Sequence, residues 1–150
     1  MTMTITFPLK SAALSALIAA TLAAGPAAAG ERSRLNVMQI GARNSIGVEQ
    51  EGAGHRATVF QRGEGQLAML TQDGNFNRAV VGQTGKRHDA FTRQKGRGNI
   101  AGIAQFGRGH KAAIDQKGRR NAAAVIQAGD GKTADITQRG HDNVIVVIQN

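Results

Sequence analysis

Glutamine returns at every eleventh residue of this chain. Gln39, Gln50, Gln61, Gln72, Gln83, Gln94, Gln105, Gln116, Gln127, Gln138 and Gln149 follow one another without a gap, and only Gln66 stands outside the series. Two residues after each of the first ten stands a glycine: Gly41, Gly52, Gly63, Gly74, Gly85, Gly96, Gly107, Gly118, Gly129 and Gly140. Seven residues after stands Ala in eight units, from Ala57 to Ala134, with Ile46 and Ile145 in the outer two. Nine after come Val48, Val59, Leu70, Val81, Thr92, Ile103, Ile114, Val125, Ile136 and Val147. Such regularity decides the architecture ahead of local propensity, because a short repeat buries its apolar face only against its neighbours.

Within a unit the spacing has period two. Positions five, seven, nine and eleven after a Gln share one parity, hence one face of a strand. That face carries a polar residue, Ala, a branched residue and Gln. The fixed Gly between strands suits a tight turn with positive φ. Each unit then reads as a strand of about seven residues and a turn of about four. The strands fall near 33–39, 44–50, 55–61, 66–72, 77–83, 88–94, 99–105, 110–116, 121–127, 132–138 and 143–149. Charge placement agrees: from Ser33 onward Lys132 is the only charge in the inward register, while Arg56, Arg78, Asp89, Lys111, Asp115 and Asp135 lie on the other parity. Lys86, Arg97, Arg108, Arg119 and Arg120 are assigned to turns. A one-residue slip would bury the outer charges, so register is strongly specified.

The residue five after Gln reveals a longer period. One series runs His55, Asn77, Asn99, Asn121, Asn143, and the other Asn44, Gln66, His88, His110, Lys132. The unit is therefore 22 residues, strand–turn–strand–turn, and the fold class is an all-β solenoid of five and a half rungs. Stacked rungs place Gln over Gln and Asn over Asn at about 4.7–4.8 Å, where side-chain amides can bond along the stack. Ala and branched residues fill a thin interior in which Leu or Phe should force the sheets apart.

Composition fits this reading. The 150 residues contain no Cys, Trp or Tyr and 5 Phe, too few aromatics for a thick core and no thiol for a disulfide or metal site. Residues 1–29 read as a signal peptide: Lys10, an apolar stretch from Ser11 to Gly25, and Ala27-Ala28-Ala29 as the small-residue cleavage site. The stretch is short for a membrane span, so no stable membrane insertion is expected. Residues 30–150 form a single repeat domain of net charge +8.

NVIVVIQ, 143–149, is apolar on both faces, uncharged and free of Pro. Only Asn150 follows it. Val144, Ile145, Val146, Val147 and Ile148 form an unprotected edge able to recruit another chain.

At this point the residues carry a resemblance. QDGNFNRAVVGQ (72–83), QKGRGNIAGIAQ (94–105) and QKGRRNAAAVIQ (116–127) share Q-x-G-x-x-N-x-A-x-x-x-Q, and QRGHDNVIVVIQ (138–149) follows with small departures. The phrase resembles the curlin repeat of curli subunits, bacterial proteins exported through an outer-membrane pore that polymerise outside the cell as functional amyloid. The resemblance implies a secreted structural subunit of extracellular fibres serving adhesion and biofilm matrix. Its partners would be copies of itself, a second curlin subunit and the export pore. A minor, nucleating subunit that templates a partner curlin is an alternative, since such subunits tend to be basic. The chain departs from the family in having no Tyr, few Ser and no long segment between leader and repeats.

Other constellations read plainly. His88 and His110, 22 apart, would stack; with no third or fourth ligand in view, His substitutes for Asn and no metal or other cofactor is expected. Charging both His beside Lys132 in acid should disfavour that stack. Basic residues spread over turns and outer faces read as gatekeepers against aggregation, with binding of extracellular DNA or acidic polysaccharide as a secondary possibility. A monomeric polyanion-binding solenoid is the other alternative. The domain has Ser only at Ser33 and Ser45 and no phosphate-loop motif, so no enzyme is expected.

Overall fold

The computed structural model describes residues 2–6, 17–23 and 33–150. The repeat folds into eleven strands: β3 (Arg34–Ala42), β4 (Ser45–Ala53), β5 (Arg56–Glu64), β6 (Leu67–Asn75), β7 (Arg78–Lys86), β8 (Asp89–Arg97), β9 (Ile100–Arg108), β10 (Lys111–Arg119), β11 (Ala122–Asp130), β12 (Thr133–His141) and β13 (Val144–Gln149). Two further strands, β1 (Thr2–Thr6) and β2 (Leu17–Ala23), precede them. Odd-numbered strands form one parallel sheet, ordered β1-β3-β5-β7-β9-β11-β13; even-numbered strands form the other, β12-β10-β8-β6-β4-β2. From β3 onward each strand pairs with the strand two places later, every residue beside the residue 22 positions on, as Gln94 beside Gln116 and Ala101 beside Ala123. This is the all-β solenoid with a 22-residue rung.

Alternation along each strand follows the sequence parity. Ala57, Ala68, Ala79, Ala90, Ala101, Ala112, Ala123 and Ala134 are buried, as are the branched residues two places later from Val48 to Ile136. Leu35 and Leu70 also lie fully inside, which corrects the expectation that Leu would part the sheets. Each pairs in register with a smaller residue, Ala57 beside Leu35 and Thr92 beside Leu70, so the extra volume is offset locally. Thr92 leaves its buried Oγ1 without a partner.

The complete repeat strands run nine residues and the turns two, longer and shorter than the periodicity suggested. Lys86, Arg97, Arg108 and Arg119 therefore close strands, and of the basic residues assigned to turns only Arg120 sits in one. The reason is the stacking. In a parallel in-register array every rung repeats the one beneath, so backbone bonds continue between identical layers even through glycines of positive φ. The chain then turns at the fourth residue after Gln, which is left-handed in every unit. Gly54, Gly65, Gly98, Gly109 and Gly131 occupy five of these positions; Arg43, Phe76, Arg87, Arg120 and Asp142, at φ 55 to 60, occupy the rest. Left-handed backbone costs a non-glycine residue about 1–2 kcal/mol.

The glycine two after Gln is held by two constraints. Gly96 has φ +120, and an added Cβ would lie 2.0 Å from the Gly118 carbonyl oxygen in the next rung. The same close approach recurs from Gly41 to Gly118.

β1 and β2 lie within the expected leader and add to the N-terminal edge, β1 on β3 and β2 on β4. The expected cleavage site at Ala27-Ala28-Ala29 lies outside the described residues. From β3 to β12 the strands share one buried apolar core. No helix among the described residues is long and apolar enough to cross a membrane.

Gly96→Ala should destabilise the solenoid by about 3 kcal/mol or more, the forced backbone region adding about 1–3 kcal/mol to the clash with the Gly118 carbonyl. Gly102→Ala, where φ is ordinary and no atom lies within 4 Å of the added Cβ, should be neutral or stabilise by about 0.5 kcal/mol. Urea denaturation of the two variants checks the contrast.

Candidate functional site

The site of interest is a set of buried amide columns and the end faces where they stop. Gln side chains enter the interior at the end of the inward-facing stripe, where the two sheets meet the turn. In the odd sheet Nε2 of each Gln donates to Oε1 of the next: Gln39 to Gln61 at 3.0 Å, Gln61 to Gln83 at 2.8 Å, and Gln83, Gln105 and Gln127 each to their successors at 2.9 Å. In the even sheet Gln50, Gln72, Gln94 and Gln116 donate in turn to Gln72, Gln94, Gln116 and Gln138 at 2.7 to 2.9 Å. From Gln61 onward, the second Nε2 hydrogen crosses to the opposite sheet, as from Gln94 to the Arg78 carbonyl at 3.0 Å. An interior Gln therefore satisfies both hydrogens and its oxygen while fully buried, which offsets the cost of drying the amide.

The residue five after Gln does a different job. It precedes the strand and turns its side chain into the arc. Asn77 Nδ2 donates to the Asp73 carbonyl at 3.0 Å and to the Gly96 carbonyl at 3.1 Å, and its Oδ1 accepts the backbone N–H of Asn99 at 3.0 Å. Asn99 repeats the pattern; Asn121 keeps the bonds to the Gly140 carbonyl and the Asn143 N–H but gives its other hydrogen to Asn99 Oδ1. Amide-to-amide bonds join only Asn121 to Asn99 and Asn143 to Asn121. So the Asn column corrects the simple ladder expected of it: it works mainly by completing the backbone bonding that the turn interrupts.

Neutral imidazole replaces this amide group for group. His88 Nε2 faces the Thr84 carbonyl at 3.2 Å, and its Nδ1 faces the backbone N–H of His110 at 3.3 Å. His110 meets the Phe106 carbonyl and the Lys132 N–H in the same way, and His55 meets those of Glu51 and Asn77. A carbonyl only accepts and an N–H only donates, so Nε2 carries the proton and Nδ1 is bare. The His88 and His110 rings stack with centroids 5.1 Å apart and planes 4° from parallel. Both ring nitrogens of each are engaged, leaving none for a metal. Among the described residues no three or more potential ligands gather. Gln66 is the misfit of the series: one methylene longer than Asn, it leaves its buried Oε1 unpartnered.

Burial holds His88 below the ordinary imidazole pKa, and neighbouring His110 adds to this, against the Thr84 and Gly107 carbonyls and Asp89 that favour the charged form. Protonation would also place a hydrogen on Nδ1 facing the His110 N–H.

The end faces differ. At the N-terminal end Oε1 of Gln39 and of Gln50 are buried and unpartnered; β2 sets Leu22 in register with Gln50. At the C-terminal end Gln138 and Gln149 each donate to a backbone carbonyl, of Ala122 and Thr133, and the other Nε2 hydrogen has no Gln above it. β13 is bare: Val144, Val146 and Ile148 are 72%, 59% and 62% exposed, and even inward-facing Ile145 is 37% exposed. Val147 is half-buried against the core.

Outside, ion pairs join stacked rungs: Lys95 to Asp73, Lys111 to Asp89, Arg108 to Asp130, Arg120 to Asp142, and Arg43 to Glu64. All involve exposed side chains and add little stability.

Four curlin-associated repeats match the chain, over residues 30–63, 63–91, 89–118 and 111–140. The chain belongs to the curlin-repeat family. Comparison with curated proteins and with solved structures found no match. In this curlin-repeat chain the matched segments cover most of the strands whose Gln, Asn and His side chains build the columns.

Sequence reasoning missed two features of the site. The left-handed residue four after Gln was signalled by glycine in half the units. The His-for-Asn equivalence was visible as substitution in one column, but its hydrogen-bond basis was not.

Gln116→Leu removes the bonds to Gln94, Gln138 and Ile100 and should cost about 2–4 kcal/mol; Arg119→Ala, exposed at a strand end, should stay within about 0.5 kcal/mol. Chemical denaturation reads both. Because the folded His88 pKa lies below the ordinary imidazole value of about 6.5, the unfolded chain takes up the proton first as pH falls. Stability is full above about 6.5 and declines below it. Replacing His88 and His110 together by Asn should flatten the profile between neutral and mildly acid pH; an unchanged profile refutes the assignment.

Proposed function

We propose that this curlin-repeat chain is a structural subunit of extracellular curli-type amyloid fibres, assembling by continuation of its rungs from copy to copy. One observation carries the reading: the C-terminal end is an open pair of parallel strand edges, β12 and β13, bearing unsatisfied glutamine donors and an exposed apolar strand. An edge of this kind templates another strand, and stacked identical layers with amide ladders are the construction of amyloid. Val144, Ile145, Val146, Val147 and Ile148 are its growth edge. The Gln columns and Asn77, Asn99, Asn121 and Asn143 carry the register from one copy to the next.

Family resemblance supports the rest of the reading: cleavage of residues 1–29, passage through an outer-membrane pore, a second curlin subunit as partner, and a role in adhesion and biofilm matrix. The role is structural rather than enzymatic. Excess basic charge favours incidental capture of extracellular DNA or acidic polysaccharide. Arg97, Arg119 and Arg120 line a solvent-open groove beside Phe76, and such binding would weaken as salt rises.

Purified 30–150 should raise thioflavin fluorescence and give cross-β diffraction at about 4.7–4.8 Å. A soluble monomer with a sharp thermal transition overturns the fibre reading. Deleting 143–150 should slow assembly more than deleting 66–72; equal rates count against growth led from the C-terminal edge.

A further inference from the structure

The two end faces of the eleven-strand body are complementary, and their offset specifies how one copy sits on the next. Every bond in both glutamine columns points the same way, from Nε2 of the earlier rung to Oε1 of the later. One end therefore presents acceptors, Oε1 of Gln39 and Gln50, buried and unpartnered. The other presents donors, Nε2 of Gln138 and Gln149, each with one hydrogen already used. Like ends cannot satisfy one another, so only a head-to-tail meeting of two copies pairs donors with acceptors.

The strand count adds the second constraint. β3 and β13, the first and last of the eleven, belong to the same sheet. In both sheets each Gln reaches across to the strand just before its own, so each unit climbs half a rung and at the C-terminal face β12 is the lower step and β13 the higher. At the N-terminal face β3 leads and β4 follows half a rung behind. Seating β3 of a second copy on β13 would strand β12 beneath an empty layer, with Ala134, Ile136 and Gln138 uncovered. Seating it on β12 closes the step, and β4 then falls on β13.

We propose that successive copies join with their sheets exchanged, β3 of each copy on β12 of the last and β4 on β13, so that each subunit is turned about half a revolution from its neighbour. The proposal rests on the fibre reading above and specifies its joint. Residue by residue the joint repeats the interior. Gln138 meets Gln39 and Gln149 meets Gln50, donor to acceptor. Leu35 and Val37 fall on Ala134 and Ile136, and Ile46 and Val48 on Ile145 and Val147. Asn44 offers its backbone N–H to Asn143, as Asn143 does to Asn121 within the chain. Arg43 falls over Asp142, the carboxylate that Arg120 already pairs from the other side. The joint needs the edge on which β1 and β2 lie, so it forms on residues 30–150, once 1–29 have been cleaved.

At about 4.8 Å per rung, five and a half rungs give a subunit rise of roughly 26 Å and a same-facing repeat of roughly 53 Å. The exchange leaves a further mark. The outer face of the odd sheet is apolar from β9 to β13, through Ile100, Ala122, Ile126, Val144, Val146 and Ile148, so these patches alternate between the two sides of the fibre.

The absence of cysteine allows a direct test. R34C and T133C occupy exposed, in-register positions under the exchanged joint, whereas R34C would meet V144C if sheets were continuous. Paired in-register strands place Cα atoms within disulfide reach. Fibres of 30–150 grown from mixed single variants and then oxidised should yield covalent dimers from R34C with T133C in at least ~10-fold excess over R34C with V144C. The reverse ratio, or fibres that give neither dimer, overturns the exchange while leaving fibre formation intact. Failure of all variants and the parent to assemble removes the fibre reading and the joint with it. Image averaging of unmodified fibres gives an independent reading: an axial repeat of roughly 53 Å supports the exchange, and one of roughly 29 Å, the rise of six whole rungs, contradicts it.

Discussion

A buried primary amide needs two acceptors and a donor, and in a dry interior one side chain away from the backbone little except another amide at the same height supplies them. That requirement organises this molecule. Gln94 can be fully buried because Gln72 lies below it, Gln116 above it and the Arg78 carbonyl across from it. Register follows, since a shift by one residue would bring outward charges such as Arg78 and Asp89 inside. The thin core follows too: with two amide columns spanning the gap, Ala and a branched residue fill what remains. The glycine after each Gln lets adjacent rungs come close enough for the columns to form, its missing Cβ leaving room for the carbonyl of the next layer.

The arc residue extends the same logic to the turns. Where the backbone leaves the ladder, a side chain must accept the orphaned N–H of the next rung and donate to the carbonyls of its own turn. Asn does this with Oδ1 and Nδ2, and neutral His does it with Nδ1 and Nε2. The substitution is conservative in hydrogen bonding though not in size, and at His88 it places an imidazole with a lowered pKa inside the column. Gln66 has the same groups on a longer arm, and its oxygen misses.

A directional column cannot terminate inside the protein without leaving an acceptor at one tip and a donor at the other. The interaction that gives the body its register therefore also leaves its ends unfinished. Exposed ion pairs along the outer faces follow the stacking rather than cause it, because each joins neighbouring rungs that the columns already hold.

The sequence by itself determined the 22-residue rung, the number of repeat strands, which parity faces inward and where the close-packed glycines stand. These depend on periodicity, and periodicity is a property of the chain read in order. Tertiary structure decided the rest. Strands reach nine residues because identical layers keep the backbone bonded past Gln149-like positions such as Gln94 and on to Arg97. The residue after Phe76, Asn77, serves the backbone rather than an amide ladder because of where the arc places it relative to the rung above. That all amides point one way, with Gln39 and Gln50 ending as acceptors and Gln138 and Gln149 as donors, goes with the second Nε2 hydrogen reaching a carbonyl of the opposite sheet. No spacing along the chain encodes that reach; it exists only once the rungs are stacked.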